Sequence, residues 1–330
     1  MGDQKNLFLA IGLSIAIIII FQFLFPQQTV MTPVNDIEEK ISPATSIDDN
    51  EIINNDIIKN KEEIISMNKR IIIDTPSLKG SINLKGAILD DLVLKNYKES
   101  LDENSKNISL FLPDGTKNPY YVELGWKSLE NNDLSIILPD LNTEWKSQDT
   151  SLGPNNPVTL YWKNDQNITF KIKFEIDDYY MFNISQIIEN NSSKNIEVFP
   201  YRLIKRINLP DTINFFILHE GLISLVNDEL IEKNYSDLSD DCSSTKNSKS
   251  LFCDQKAKDG WIGFTDKYWM TALIPDRDKP INVNFRHGNN GRDNFRVGYV
   301  GEIYKINANT SQTYNGKIFA GAKILKILNN

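Results

Sequence analysis

Residues 168–176 read ITFKIKFEI, so an apolar residue stands at every second position and a polar residue at each position between. A β-strand with one buried face requires this period of two, because successive side chains point to opposite sides of a sheet. The preceding apolar run, VTLYW at residues 158–162, is separated from it by KNDQN, a turn-rich stretch of hairpin length. We therefore predict that the two runs pair as an antiparallel hairpin.

Further short apolar runs recur along the chain, with clusters of Asn, Asp, Gly and Pro between them. They cover residues 81–84, 92–97, 108–112, 120–126, 180–188, 196–201, 213–218, 268–274 and 295–306. Many short strands with few helical stretches predict a mainly β fold of more than a dozen strands, built as a sandwich of antiparallel sheets. The last segment is expected to begin as a strand and end as a short helix, because Ile324, Leu325 and Leu328 stand at helical spacing.

An uncharged segment near the amino terminus, residues 7–25, reads LFLAIGLSIAIIIIFQFLF. As a helix it would be about 28 Å long, which matches a hydrocarbon core of about 30 Å. A cleaved signal peptide is the alternative, but the residues that follow, PQQT, lack a small-residue cleavage pattern. We expect an uncleaved transmembrane helix with residues 1–6 in the cytoplasm, because Lys5 precedes the helix and the first positive charge after it is Lys40.

Residues 26–69 are rich in acidic side chains and contain no aromatic residue. Such a stretch buries too little surface to offset the entropy lost on ordering, so it is predicted to be an acidic, largely disordered linker. A short helix is the alternative, because Ile53, Ile57 and Ile64 repeat at helical spacing. The β domain is then expected to occupy residues 70–330, outside the cytoplasm, which in a bacterial cell is the periplasm.

The composition excludes several classes of function. The net charge is −8 and the pI is about 5.0, which argues against nucleic acid as a partner because nucleic-acid binding needs clustered Lys and Arg. The chain has only two histidines and two cysteines, so no metal or cofactor site is expected. No stretch has the specificity of a catalytic motif, and we predict no catalytic residue.

The polar residues that do invite a functional interpretation have simpler structural ones. His219 and Glu220 would suit acid–base chemistry on a sugar, but adjacent residues of a strand face opposite ways, so a strand end entering a turn is favoured. His287 stands before GNNG and is predicted to be a solvated loop histidine. The pair Asp177-Asp178 ends the strand at 168–176 and predicts a turn rather than a carboxylate site.

Two further groups leave alternatives open. The rings of Trp261, Tyr268 and Trp269 suit a platform for a peptide or a sugar, although packing in the core of a large sandwich is the commoner use. Cys242 and Cys253 lie in a polar stretch, residues 237–258, that predicts a surface loop. In an oxidising periplasm they would form a disulfide, and two free thiols are the alternative.

Several stretches, in the same order along nearly the whole chain, resemble the YidC-type membrane protein insertases. Residues 4–14 resemble the first helix of that family, residues 80–86 with 90–94 resemble its first hairpin, and residues 118–121, 125–126, 179–182 and 190–192 resemble its middle strands. The most specific stretches are GWIGFTDKYWM at 260–270 and FAGAK at 319–323. The positions that carry these motifs are Gly260, Trp261, Thr265, Asp266, Lys267, Tyr268, Trp269, Phe319, Ala320, Gly321, Ala322 and Lys323.

The resemblance implies a protein of the bacterial inner membrane that moves hydrophobic segments of new proteins into the bilayer, alone or with the Sec translocon. It implies a β-supersandwich in the periplasm, no covalent catalysis, and three partners: nascent membrane proteins, Sec components and lipid. In that family the insertion is attributed to a polar groove with a positive residue among later transmembrane helices. The sequence ends at Asn330, where a second transmembrane helix is expected to follow, so we expect the N-terminal part of an insertase that does not insert proteins alone.

Two other functions stay open from the sequence. A membrane-anchored periplasmic protein that binds carbohydrate or resembles a mutarotase is one, because the supersandwich also occurs among sugar-acting proteins. The shortage of histidines weakens a sugar isomerase. A plain structural tether is the other.

Overall fold

The structure is a computed structural model that describes residues 58–128, 136–210, 219–242, 253–277, 279–289 and 291–324. Within these described ranges, two short helices, α1 (Lys61–Ser66) and α2 (Tyr235–Asp241), lie among nineteen strands. The strands are β1 (Arg70–Asp74), β2 (Leu78–Asn83), β3 (Ile88–Lys98), β4 (Asn107–Phe111), β5 (Tyr120–Lys127), β6 (Ser151–Leu152), β7 (Val158–Lys163), β8 (Ile168–Ile176), β9 (Met181–Asn190), β10 (Ile196–Ile207), β11 (Gly221–Val226), β12 (Glu229–Asn234), β13 (Asp254–Ala257), β14 (Gly260–Thr265), β15 (Trp269–Pro275), β16 (Ile281–Asn289), β17 (Asp293–Gly301), β18 (Tyr304–Ile306) and β19 (Thr310–Ala322).

The strands form two large sheets. Sheet A has eleven strands in the order β13-β16-β17-β10-β5-β3-β2-β1-β6, with β18 paired to β10 and β4 paired to β3. Sheet B has eight strands in the order β12-β11-β14-β15-β19-β9-β8-β7. Among these named strands every pairing is antiparallel except that of β1 with β6. One cluster of buried apolar side chains draws on both sheets, so the predicted sandwich of antiparallel sheets is confirmed.

The alternating stretch at 168–176 forms β8, with Ile168, Phe170, Ile172, Phe174 and Ile176 buried and the residues between them partly exposed. β7 pairs with it antiparallel, from Val158 opposite Phe174 to Lys163 opposite Thr169. The predicted hairpin is therefore confirmed. Its turn contains Asn167 at φ 64°, a backbone conformation that asparagine adopts more readily than most residues.

One predicted strand is in fact two. The run at 295–306 divides into β17 and β18, because β17 pairs with residues 201–207 of β10 whereas β18 pairs with residues 196–198. β1, β6, β11 to β14 and β16 had no counterpart among the apolar runs. β12 reads ELIEKN and β16 reads INVNFRHGN, so charged and amide side chains obscure the alternation that these strands possess.

The predicted surface loop at 237–258 is wrong at both of its ends. Its first residues belong to α2, which buries Tyr235 and Leu238. Its last residues form β13 at the edge of sheet A. Cys242 and Cys253, which stand between these elements, are fully buried and joined in a disulfide bond. The prediction overlooked the apolar side chains that stand among the polar ones of this stretch and are buried against the core.

Two arginines of β10 point into the sandwich, because alternation places Arg202 and Arg206 on the same face. Arg202 is completely buried, and its Nε donates to Gln186 Oε1 at 3.0 Å. The same guanidinium donates to the carbonyl oxygen of Ile184 at 3.3 Å. Gln186 in turn donates from Nε2 to the carbonyl oxygen of Gly125 at 2.8 Å. These hydrogen bonds join β10 and β5 of sheet A to β9 of sheet B.

The amino-terminal part of the described chain is attached to the rest of the β domain by a backbone hydrogen bond and an ion pair. Lys59 N donates to Gly115 O at 3.0 Å, and Lys61 of α1 forms an ion pair with Asp91 at 2.6 Å. The linker prediction therefore differs from the structure over residues 58–69, which make these contacts and form α1. Beside them, Arg70 pairs with the buried carboxylate of Asp90.

Several sequence predictions fall outside the described residues: the transmembrane helix at 7–25, the linker at 26–57, the strand at 213–218 and the helical turn at 325–328. In the part of the chain that the structure describes, no helix has the length and apolar character to cross a bilayer.

Burial raises the pKa of Asp90 to about 6, an effect that the neighbouring Arg70 offsets only in part. A carboxyl whose pKa is raised by folding stabilises the native state in its protonated form, so stability grows as the pH falls through 6. Between pH 7.5 and pH 5 we expect the free energy of unfolding to rise by about 1 kcal/mol more in the wild type than in Asp90→Asn. Urea unfolding at the two pH values measures this difference. Parallel pH profiles for the two proteins would show that Asp90 stays ionised.

Candidate functional site

The first family-like motif forms the β14–β15 hairpin. Its turn, residues 266–268, is called the motif turn below. Asp266 N donates to Trp269 O at 2.8 Å and closes the turn, and Lys267 N donates to the carboxylate of Glu220 at 3.1 Å. Glu220 lies directly before β11, so the turn is fixed to the neighbouring strand of sheet B as well as to itself.

The second motif, residues 319–323, lies against the first. The end of β19 pairs with β15, with Ala322 opposite Trp269. Lys323 then donates from its backbone N to Tyr268 O at 2.9 Å and from Nζ to Thr265 Oγ1 at 2.9 Å. Burial lowers the pKa of Lys323, while Asp266 and Glu220 act in the opposite direction. The structure thus brings together two motifs that are about fifty residues apart in sequence.

Gly321 in the second motif has a packing role. A Cβ atom at this position would lie 2.1 Å from Cγ of Tyr180, so no side chain fits there without displacing the ring. Tyr180 also accepts a hydrogen bond from Ala320 N through its carbonyl oxygen at 3.0 Å, and its ring meets Phe319 edge-on. The FAGA sequence therefore provides the flat surface on which Tyr180 packs.

Beneath the motif turn lies a buried ion pair that crosses between the sheets. Arg206 Nη1 and Nη2 donate to the two carboxylate oxygens of Asp266 at 2.6 and 2.7 Å. Arg206 Nη1 also donates to the hydroxyl of Tyr235 at 2.9 Å, and its guanidinium stacks 3.9 Å from the ring centre of Tyr120. Burial raises the pKa of both tyrosines well above the usual value, so both hydroxyls stay neutral.

A cleft of about 630 Å³ opens over this ion pair. Arg206, Asp266 and Tyr120 line its inner end, and two exposed side chains, Tyr268 and Leu209, stand at its rim, about half accessible to solvent. The remaining lining mixes apolar and polar side chains: Lys98, Glu99, Ile108, Ser109, Leu110, Leu112, Asn118, Ile207, Asn208, Pro210, Lys267 and Trp269. A cleft with one aromatic and one aliphatic side chain at its rim and paired charges inside suits an extended chain that offers apolar side chains and backbone polar groups.

The three aromatic residues singled out from the sequence separate in the structure. Tyr268 and Trp269 line the cleft, and Trp269 packs edge-on against Tyr97 at 5.0 Å. Trp261 packs against the core instead and is not among the cleft residues. Two of the three rings therefore line the cleft, and the platform stays a prediction.

His287 was predicted to be a solvated loop residue, and that prediction is wrong. It lies inside β16, is buried on the side of the sheet that faces the core, and stacks on Phe295 at 4.8 Å. Its Nε2 lies 3.0 Å from Asp293 Oδ1. The sequence GNNG begins within the strand and misled the prediction, because β16 continues to Asn289 before the chain turns.

The other polar candidates have structural roles. Asp177 Oδ1 accepts hydrogen bonds from the backbone N of Tyr179 and of Met181, at 2.9 and 3.0 Å, which confirms the turn. His219 donates from Nε2 to Leu222 O at 2.7 Å. Neither histidine lines the cleft.

Within the described ranges, no group of three or more His, Cys, Asp or Glu side chains is placed to hold a metal ion.

Sequence analysis missed three residues of the site: Arg206, Tyr120 and Tyr235. A signal for Arg206 was present in the sequence, because Arg206 stands four residues after Arg202 and both share alternate positions with the apolar residues Ile196, Val198 and Ile204. Two arginines on the core side of a strand require acceptors from another element. The sequence does not identify Asp266 as that acceptor, because the pair joins residues sixty positions apart.

Comparisons with known proteins bear on the same motifs. The sequence profile described as the YidC periplasmic domain matches residues 70–330. A membrane protein insertase YidC from Granulibacter bethesdensis is 36% identical over 99% of this chain. The chain belongs to the YidC family. A second YidC, from Mesorhizobium japonicum, is 31% identical over the whole chain. The chain spans only about half the length of these two YidC relatives, 56% and 57% respectively.

Solved structures share the fold at much lower identity. A galactose mutarotase related enzyme from Lactobacillus acidophilus aligns with 77% of this chain and 100% of its own, at a TM-score of 0.50 and 8% identity. At that identity the likeness concerns the sandwich architecture alone. The YidC motifs lie in the part of this sandwich that carries the cleft.

Replacing Asp266 with Asn should destabilise the protein strongly. The change leaves the Arg206 guanidinium buried without its carboxylate, and removal of one partner from a buried ion pair typically costs about 3 to 5 kcal/mol. Urea unfolding of the purified chain measures the loss.

The matched control is Asp259→Asn, because Asp259 is an exposed aspartate on the turn before β14. That control should change the free energy of unfolding by less than about 0.5 kcal/mol. Equal effects of the two substitutions would mean that the Asp266–Arg206 pair does not hold the sheets together.

Proposed function

We propose that this chain is the anchoring and periplasmic part of a membrane protein insertase, which assists the insertion and folding of integral membrane proteins. The observation that carries the proposal is the match of the whole domain, residues 70–330, to the YidC periplasmic domain, together with relatives that are named membrane protein insertases. The proposal needs no covalent chemistry. Its substrates are hydrophobic segments of new proteins, and its other partners are the lipid bilayer and components of the Sec translocon.

The chain spans about half of its relatives' length, so we assign it only part of the work. Passage of a hydrophobic segment into the bilayer requires a path that shields polar groups from hydrocarbon, since each unsatisfied group there costs several kcal/mol. We attribute that path to segments equivalent to the other half of the relatives. Residues 1–330 then supply the anchor, through the apolar segment at 7–25, and a surface for partners, through the cleft beside the motif turn.

The proposed orientation has the amino terminus in the cytoplasm and the β domain in the periplasm of the inner membrane. The charge distribution around residues 7–25 supports it. The Cys242–Cys253 disulfide supports it independently, because structural disulfides form in oxidising compartments such as the periplasm and are rare in the cytosol.

The carbohydrate-binding alternative has less support. The fold is shared with a mutarotase-related enzyme, but shared fold does not transfer function. Of the two histidines in the chain, His287 is buried on the core side of β16 and His219 lies before β11. Neither contributes to the cleft, so an imidazole that exchanges protons with a bound sugar there has no candidate among the described residues.

Complementation tests the proposed division of labour. Cells depleted of their own insertase receive either a chimera, residues 1–330 followed by the remaining part of the Granulibacter relative, or residues 1–330 alone. Insertion of a small test membrane protein is measured by protease cleavage of its periplasmic loop in spheroplasts. We expect the chimera to restore cleavage and the chain alone to leave the loop protected. Restoration by residues 1–330 alone would contradict the division, and failure of a stably expressed chimera would contradict membership in the insertion pathway.

Protease digestion and thiol labelling test the orientation. In intact spheroplasts, added protease should remove the β domain, and maleimide should label Cys242 and Cys253 only after reduction and denaturation. The same chain without residues 1–25 is the matched control, because it should stay in the cytoplasm with both thiols reactive upon denaturation alone. Reactive thiols in the membrane-anchored chain would contradict a periplasmic location.

A further inference from the structure

The disulfide lies where the edges of the two sheets approach each other. β12 is an edge strand of sheet B, α2 follows it directly, and Cys242 is the residue after α2. Cys253 comes directly before β13, an edge strand of sheet A. The bond from Cys242 to Cys253 therefore closes a covalent path from the edge of one sheet to the edge of the other.

Both half-cystines are held to β16 as well. The carbonyl oxygen of Cys242 accepts a hydrogen bond from His287 N at 3.0 Å, and that of Cys253 accepts one from Arg286 Nη1 at 3.0 Å. Both sulfur-bearing side chains are fully buried. The disulfide is thus an integral part of this side of the sandwich rather than a clip on a peripheral loop.

The helix between β12 and the disulfide reaches the candidate site. The first residue of this helix is Tyr235. Its hydroxyl accepts a hydrogen bond from Arg206, and the same hydroxyl oxygen lies 3.4 Å from Asp266 Oδ1. Its ring packs edge-on against Phe295 at 4.8 Å. α2 has only seven residues, and a helix of that length is not stable by itself. Its position therefore depends on its surroundings, which are β12 at one end, the packing of its buried Tyr235 and Leu238, and at the other end the disulfide and the hydrogen bond from His287 N to Cys242 O.

We propose that Cys242 and Cys253 form a redox modification site whose oxidation holds Tyr235 against the Arg206–Asp266 pair and so orders the inner end of the cleft. Oxidation transfers two electrons and two protons from the two thiols to the disulfide of a thiol oxidoreductase, which becomes a dithiol, and the S–S bond forms in this chain. In the reduced chain α2 loses the covalent part of its attachment at the Cys242 end, and this weakens the restraint that keeps Tyr235 beside Asp266 of the motif turn.

Linkage supplies a direct test, because a coupling between two sites acts equally in both directions. If oxidation stabilises the Tyr235 contact, loss of that contact must ease reduction of the disulfide. The variant Tyr235→Phe removes the hydroxyl and keeps the ring. The control Tyr314→Phe makes the same change beside the other inner arginine, Arg202, whose guanidinium lies 5.4 Å from the Tyr314 ring.

The full 330-residue chain in detergent is equilibrated with mixtures of reduced and oxidised dithiothreitol, and the dithiol fraction is counted by the gel shift of a maleimide-polymer adduct. We expect Tyr235→Phe to shift the reduction equilibrium about tenfold toward the dithiol, as loss of a hydrogen bond to a charged group would. Tyr314→Phe should leave the equilibrium unchanged. An unchanged equilibrium in Tyr235→Phe overturns the proposal. Equal shifts in both variants also overturn it, because the disulfide would then report only global stability.

Hydrogen exchange gives a second measurement that does not depend on the tyrosine variants. In the reduced wild type and in the double variant Cys242→Ser/Cys253→Ser, amides of the peptide 264–271 should exchange faster than in the oxidised chain. Amides of the peptide 168–176, in β8, should exchange at the same rate in all three. Unchanged exchange at 264–271 contradicts the proposal, and faster exchange in both peptides indicates general unfolding and contradicts it too.

Discussion

The positive charges that β10 places inside the sandwich constrain the whole domain. A guanidinium that leaves water loses hydration worth several kcal/mol, which only well-placed acceptors restore. For Arg202 these are Gln186 and the Ile184 carbonyl, and for Arg206 the carboxylate of Asp266, all of them on or beside strands of sheet B. Apolar side chains tolerate small displacements of one sheet over another. Two arginines with fixed partners do not, so together they define how the sheets are placed.

The same constraint explains why the motif residues occur together. The side chain of Asp266 must contact that of Arg206, so the β14–β15 turn has to lie at a fixed position relative to β10. Glu220 and Lys323 then fix that turn through Lys267 and Thr265. Gly321 allows Tyr180 to pack beneath the end of β19. The motif residues therefore hold one corner of the sandwich together, and the cleft results from the way in which that corner is packed.

Sequence predicted the architecture well where one face of a strand is purely apolar, as in β8. It failed where polar residues occupy both faces of a strand, as in β16, where Arg286 lies on one side and His287 on the other. It also failed for α2, because seven residues are too few to display helical periodicity. The motif residues of the site were recognised, whereas Arg206, Tyr120 and Tyr235 were not. Their role depends on contacts between distant positions, and such contacts leave no local pattern.

The shared architecture with a mutarotase-related enzyme shows how little a large sandwich commits a protein to one chemistry. The sheets supply rigidity and curvature, and function resides in side chains added at their edges and corners. In this chain the distinctive side chains are a buried ion pair, the two exposed rim residues Tyr268 and Leu209, and a buried cystine.

The position of β19 has a consequence for the order in which the domain is made. β19 lies between β15 and β9 in sheet B, so it is the strand that joins the β11–β15 block to the β7–β9 block. It is also the last described strand to leave the ribosome. Until it arrives, each block exposes an unpaired strand edge, β15 in one and β9 in the other, and such edges favour wrong pairings in incomplete chains. We propose that this protein assists the folding of others, yet during its own synthesis sheet B stays incomplete until β19 is made, and its unpaired edges require protection.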